Sequence, residues 1–332
     1  MSYNTLYPPI PLSLLRETTQ NHPDRQSIDE WFSVKQIIQP RPQFNKCISI
    51  CLFKQCVDNK TQNEHEVNSE KWHDKYYVKC KKLIADFNQS WLYHSNEWKI
   101  RLYLENQLGN LLPEFSSLSD RMEIYYMNNN SIGAQPGMLW RLLSFDDKTL
   151  EIAFSTDVDD ELCGKFDKLR TFQNHNKTLG RYISYSGDTF KIATSEENSP
   201  LNYATVIGCM IAFRPQKSDI NVRETITNYI LYRMMRAETA VKPWEEYDDV
   251  NTERFCTPIG GHIYGWGGHW TMYGFDERIF KHTIFPHFTE RGEVLTWMCE
   301  DTSNYAKLAD DHPCKIDYKY SMGFRGNTFV RL

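Results

Sequence analysis

The sequence predicts an α/β protein: a mixed, mostly parallel β-sheet flanked by helices, with antiparallel strands added after its first half. Three observations predict it. Between residues 47 and 155, short apolar runs alternate with segments of helical period. The last of these runs ends directly on a cluster of acids, Asp157-Val158-Asp159-Asp160. Beyond the acids, apolar runs follow one another without a helical period between them.

Residues 1–45 are Pro-punctuated and read as an N-terminal arm packed on a single main domain, residues 46–332. Within the arm, Ile28, Trp31, Phe32, Val34, Ile37 and Ile38 are spaced to line one face of a helix over 28–38. Cys47 to Phe53 is short, apolar and rich in β-formers, as a buried strand requires. After a polar loop, Trp72, Tyr76, Cys80, Leu83, Ile84 and Phe87 recur at three and four residues, which predicts a helix over 72–87. Trp98 to Leu104 and Met122 to Met127 read as strands, Gly137 to Phe145 as a helix and Leu150 to Ser155 as a further strand. An alternation of strands and helices of this kind needs crossovers, and crossovers make strands parallel. Arg181 to Tyr185, Phe190 to Ala193 and Ala204 to Phe213 are then predicted as successive strands, followed by a helix over 225–235. Residues 244–251 read as an acidic linker, and the glycine-rich stretch Gly260 to Gly268 as a long irregular loop of the kind that often carries function.

Composition narrows the classes of function. With 38 Lys and Arg against 43 Asp and Glu, the net charge of -5 gives no general field for a polyanion, which disfavours a nucleic-acid partner. The nine cysteines include no CxxC pair, so a disulfide framework and a zinc knuckle are both unexpected, and reduced thiols in a cytoplasmic protein fit best. No signal peptide and no membrane-spanning run is recognised. Aromatic residues reach 14%, enough to fill a core and still face a sugar or a base.

The chemistry concentrates where Phe154-Ser155-Thr156 runs into the acids. If the strand persists, Asp157 and Asp159 project to the same side, and two carboxylates facing one point suit a hard cation such as Mn²⁺ or Mg²⁺ that also holds phosphate. The plain alternative is a solvated acidic turn, and Asp160 could be the metal ligand in place of Asp159. Upstream, Pro136-Gly137-Met138-Leu139-Trp140-Arg141-Leu142-Leu143 opens a helix after a strand and a Gly/Asn-rich turn. Arg141 could neutralise a phosphate with its fork of donors, or form a surface ion pair with Asp146 or Asp147.

An aromatic-Arg helix followed by a strand ending in Asp-x-Asp resembles the GT-A-type glycosyltransferases, particularly a loose group of bacterial, viral and phage-type sequences. The resemblance covers roughly Cys47 to Pro286 and is clearest over 125–162. It implies a GT-A-like fold with a nucleotide-binding half at about 46–162 and an acceptor half at about 163–332. It also implies a nucleotide-sugar donor, a glycan or other hydroxyl acceptor, and Mn²⁺ or Mg²⁺. Carried over, the donor-binding roles fall on Arg141, Asp157 and Asp159, and the metal on Asp159, Asp157 and a C-terminal histidine, His269. Gly208 falls beside the acceptor, though a bulge in a core strand explains it as well. Trp266 and Trp270, in the glycine-rich loop, would lie over a sugar. Asp276, Glu300 and Asp301 are the candidate bases, and Asp276 is equally well placed to cap a helix over 277–284. A non-catalytic carbohydrate-binding or structural protein of the same fold is the alternative to a transferase.

Overall fold

In the computed structural model, residues 10–53, 72–128, 137–158, 163–184, 205–239, 276, 279–298 and 328–331 are described. Among the described residues nine strands form one sheet: β1 (Val34–Ile38), β2 (Lys46–Leu52), β3 (Trp98–Glu105), β4 (Met122–Met127), β5 (Ile152–Ser155), β6 (Leu179–Ser184), β7 (Thr205–Phe213), β8 (Val294–Met298) and β9 (Thr328–Arg331). Their order across the sheet is β1-β4-β3-β2-β5-β7-β6-β8-β9. The pairs β2·β3, β3·β4, β2·β5, β6·β8 and β8·β9 are parallel, whereas β1·β4, β5·β7 and β6·β7 are antiparallel. The sheet is therefore mixed and mostly parallel, with antiparallel additions, as the alternation of elements predicts.

The helices around it are α1 (Leu12–Thr19), α2 (Arg25–Glu30), α3 (Lys79–Gln89, entered through a π-helical turn at His73–Val78), α4 (Trp91–His94), α5 (Leu112–Leu118), α6 (Gly137–Trp140, running on as a 3₁₀ turn over Arg141–Asp146), α7 (Cys163–Asn174), α8 (Val222–Thr239) and α9 (Phe285–Glu290, preceded by a π-helical turn at Phe280–Ile284). Side chains alternate across a strand, so each strand feeds two cores. Cys47, Cys51, Tyr103, Met127, Ala153, Ile211 and Phe213 pack against α1, α2, α6, α8 and the Phe280–Glu290 segment. Ile48, Ile50, Leu52, Ile100, Leu102, Leu104, Ile124, Ile152 and Phe154 pack against α3, α4, α5 and α7. The result is helix, sheet, helix in three layers.

Strands β2 to β5 lie within one or two residues of the runs that predict them, and both faces of β2 and β3 are fully buried. The N-terminal segment differs. The expected helix over 28–38 is two elements: α2 ends at Glu30, and Val34–Ile38 is edge strand β1. Val34, Ile37 and Ile38 are β-branched residues that serve a strand better than a helix, and β4 offers them a free edge to pair with. Helices α1 and α2 pack on α8, where Thr19 Oγ1 donates to Asn228 Oδ1 at 2.9 Å and Thr227 Oγ1 to Asp29 at 2.9 Å. The sequence expectations for 54–69, 190–193, 244–251 and 260–268 lie outside the described residues. Among the described residues no helix is long and apolar enough to cross a membrane.

The charged groups that β3 and β4 bury on the α6 face of the sheet are paired. Lys99 and Arg101 on β3 share Glu123 on β4, at 3.1 and 2.6 Å, and Arg101 also reaches Asp147 at 2.6 Å. Two cations and two anions thus balance each other near the starts of the strands, leaving the opposite ends for the site.

Candidate functional site

From β2 the chain builds outwards through β3 to β4, then returns to the other side of β2 as β5. The strand order reverses between β2 and β5, whose parallel register pairs Ser49 with Ser155. In open α/β sheets this is the crevice, outside the carboxyl ends of the strands, where ligands bind. Arg141 and Asp157 both belong to it.

Arg141 is fixed from several sides. Residues 137–140 are all buried. The Trp140 indole donates to the Trp31 carbonyl at 2.8 Å and the Phe53 ring meets Trp140 edge-on at 6.4 Å. Gly137 fits here because a Cβ would stand 2.1 Å from the Phe53 ring. Where helix passes into 3₁₀ turn, the Arg141 carbonyl accepts from Ser49 Oγ at 2.6 Å and Ser144 Oγ at 2.9 Å, tying the turn to the sheet. A sheet face of small residues, Cys47, Ser49 and Cys51, lets the turn approach that closely. Their alternation with Ile48, Ile50 and Leu52 is the sequence signal for this support.

The Arg141 guanidinium is buried, its side chain 6% exposed, and it holds two carboxylates: Nη1 contacts Asp157 Oδ1, and Nη2 donates to Asp276 Oδ2 at 2.6 Å. The two acids differ. The Asp276 side chain is 5% exposed and the Asp157 side chain 34% exposed, so one is sealed in and the other stands at the mouth. Asp157 is placed by its neighbours, because Thr156 N–H donates to the Ser49 carbonyl at 3.1 Å and Val158 is buried in the core on the far face. The Cys51 thiol lies close by and is pushed up to about 11, burial outweighing the attraction of the Arg141 charge.

Several expectations meet this geometry. The ion pair of Arg141 with Asp146 or Asp147 is not formed. Asp146 instead accepts from Val222 N at 2.6 Å and Arg223 N at 2.7 Å, capping α8, and Asp147 pairs with Arg101. Burial raises the Asp146 carboxyl above its ordinary range, against those two backbone donors. Strand β5 ends at Ser155, two residues short of Asp157, so strand alternation does not govern where Asp157 points. Asp276 is helical and bound to Arg141. Gly208 lies in β7 opposite a register shift, since Arg181 pairs with Ile211 but Ile183 with Val206, which is the bulge given above as the alternative to an acceptor role. Asp159, Asp160, Trp266, His269, Trp270, Glu300 and Asp301 lie outside the described residues.

A divalent cation needs hard oxygen donors, and Asp157 and Asp276 are of the right chemistry. Both are engaged by one guanidinium, and among the described residues no group of three His, Cys, Asp or Glu side chains is assembled to hold a metal. The described residues alone therefore do not make a metal site.

No family model and no curated protein sequence matches the chain. Solved structures similar to it include S. aureus TarS, residues 1–349, at 11% identity and TM-score 0.34, covering 84% of this chain and 92% of that one. The galactosyltransferase LgtC, solved with donor and acceptor sugar analogs, is similar at 12% identity and TM-score 0.36, covering 86% and 84%. A 4-diphosphocytidyl-2C-methyl-D-erythritol synthase from Anaerococcus prevotii is similar at 14% identity and TM-score 0.33, covering 63% and 83%. At these scores the likenesses carry no argument about activity. The mixed sheet and its switch point stand on their own.

Proposed function

We propose that this protein is a glycosyltransferase that moves a sugar from a nucleotide-sugar donor to a hydroxyl acceptor, using the crevice between β2 and β5. The observation that carries the reading is a guanidinium buried at the switch point of the sheet, beside an acid that follows β5. As a glycosidic bond to a diphosphate breaks, negative charge grows on the leaving group, and a preorganised cation in a site shielded from water stabilises that charge most. Arg141 supplies such a cation, and its fork matches the spacing of phosphate oxygens.

The remaining roles follow the resemblance. Asp157 and Asp159 bind the donor, and Asp159, with Asp157 and His269, holds Mn²⁺ or Mg²⁺, which when bound would share the diphosphate charge. Gly208, Trp266 and Trp270 face the acceptor. Glu300 and Asp301 are the candidates for the base, because the sealed Asp276 carboxylate is engaged by Arg141. The test is nucleotide release from a panel of nucleotide sugars with Mn²⁺, with and without simple sugars as acceptors. Turnover that falls about a hundredfold in Arg141→Ala, the cost of losing one preorganised donor, supports the assignment. No release from any donor would leave the binding-protein alternative.

A further inference from the structure

We infer that Asp157 is an exchangeable ligand of Arg141: it occupies the guanidinium prong meant for an incoming diphosphate, while Asp276 is the fixed counter-charge that holds the arginine in place. The inference rests on the proposed function only for the class of anion.

Three features of the geometry support it. First, the two carboxylates bind different prongs, Asp157 at Nη1 and Asp276 at Nη2, so either one can leave without the other moving. Second, their surroundings are unequal. Asp276 is sealed at 5% exposure, whereas Asp157 is 34% exposed and stands at the mouth. A carboxylate that can turn into water loses little on release, and one that cannot must stay paired. Third, the backbone on both sides of the exchange is anchored. Arg141 is held through its carbonyl by Ser49 and Ser144, and Asp157 is flanked by the Thr156 bond to Ser49 and the buried Val158. Only the Asp157 side chain has to rotate.

The guanidinium therefore keeps one charge-assisted partner at all times and trades the other. An anion that brings two oxygens gains Nη1 once Asp157 turns away, and the released carboxylate is then available at the same mouth. With Asp157 in place the arginine is competent for the anion in only a fraction of molecules, and the apparent affinity is lowered by that fraction.

Titration calorimetry with inorganic pyrophosphate, on the full chain in EDTA, tests the exchange. Removing the competitor in Asp157→Asn should tighten pyrophosphate binding by about tenfold, the reverse of a competence penalty of that size. The gain should vanish in Asp157→Asn combined with Arg141→Gln, a variant that keeps side-chain length and polarity and whose folding is checked by circular dichroism. Equal or weaker binding in Asp157→Asn, binding undetectable in both proteins, or a gain that persists without Arg141 would each overturn the inference. Nucleotide-sugar turnover reads the other question separately. Tighter pyrophosphate binding with no turnover from any donor keeps the exchange and removes the transferase, and turnover with unchanged affinity does the opposite.

Discussion

The asymmetry of the two acids around Arg141 makes a stability prediction that needs no substrate. Neutralising the arginine, as Arg141→Gln, leaves Asp157 free to turn into water but takes the guanidinium away from the buried Asp276, whose side chain is 5% exposed. Breaking a buried pair in this way costs about 3–5 kcal/mol, because the surviving charge has lost its compensation. Asp276→Asn is milder, since Arg141 keeps Asp157 and Asn still offers an acceptor, and about 1–2 kcal/mol is expected. Asp157→Asn at the mouth should cost about 1 kcal/mol or less. The double variant Arg141→Gln/Asp276→Asn strands no charge. It should therefore be more stable than Arg141→Gln alone, with a coupling energy of about 2 kcal/mol. Urea denaturation followed by tryptophan fluorescence gives the four corners of the cycle, and thermal melts should show Arg141→Gln down by roughly 4–7 °C. If Arg141→Gln lies within about 1 kcal/mol of wild type, or no more destabilised than Asp157→Asn, then Asp276 does not depend on Arg141 and the reasoning fails.

Two further predictions follow from the same region. Gly137→Ala should destabilise the protein by about 1–3 kcal/mol, since its Cβ would meet the Phe53 ring and Phe53 Cβ within 2.6 Å; a melting temperature at or above wild type would refute the close approach. Burial pushes Cys47 and Cys51 from the ordinary thiol value of 9.0 up to about 11, so between those values the native state keeps protons that the unfolded chain has lost. Stability from these thiols is full below about pH 9 and falls as the pH rises to about 11, and Cys47→Ala/Cys51→Ala should flatten that alkaline limb in urea titrations across the range.

The parts of this fold legible in the sequence are those with a local signature. Strands β2 and β3 are continuous apolar runs buried on both faces, and the helix over 79–89 shows its stripe in Cys80, Leu83, Ile84 and Phe87. Strand β1 was hidden because four of its five residues are exposed, so Val34, Ile37 and Ile38 joined by spacing to Ile28, Trp31 and Phe32, which lie in and just after α2. Among the described residues of helix α7 the buried stripe is Phe166, Leu169 and Phe172, a pattern too thin to announce a helix. In the site, the resemblance implies that Arg141, Asp157 and, as a candidate base, Asp276 belong together, but the pairing of Arg141 with Asp276 was not legible, since a contact across 135 residues leaves no periodicity and depends on how the Phe280–Glu290 segment packs against β7 and α8.

The central claim is that the crevice at the carboxyl ends of β2 and β5 receives a nucleotide diphosphate on Arg141. A crystal structure of the protein soaked with Mn²⁺ and a panel of nucleoside diphosphates and nucleotide sugars tests it most directly. Diphosphate density is expected within hydrogen-bond reach of Arg141, with Asp157 turned off Nη1 and Asp276 still on Nη2. Density bound elsewhere, such as the open groove lined by His22, Arg25, Asp29 and Arg223, with Arg141 still closed by both carboxylates, would contradict it.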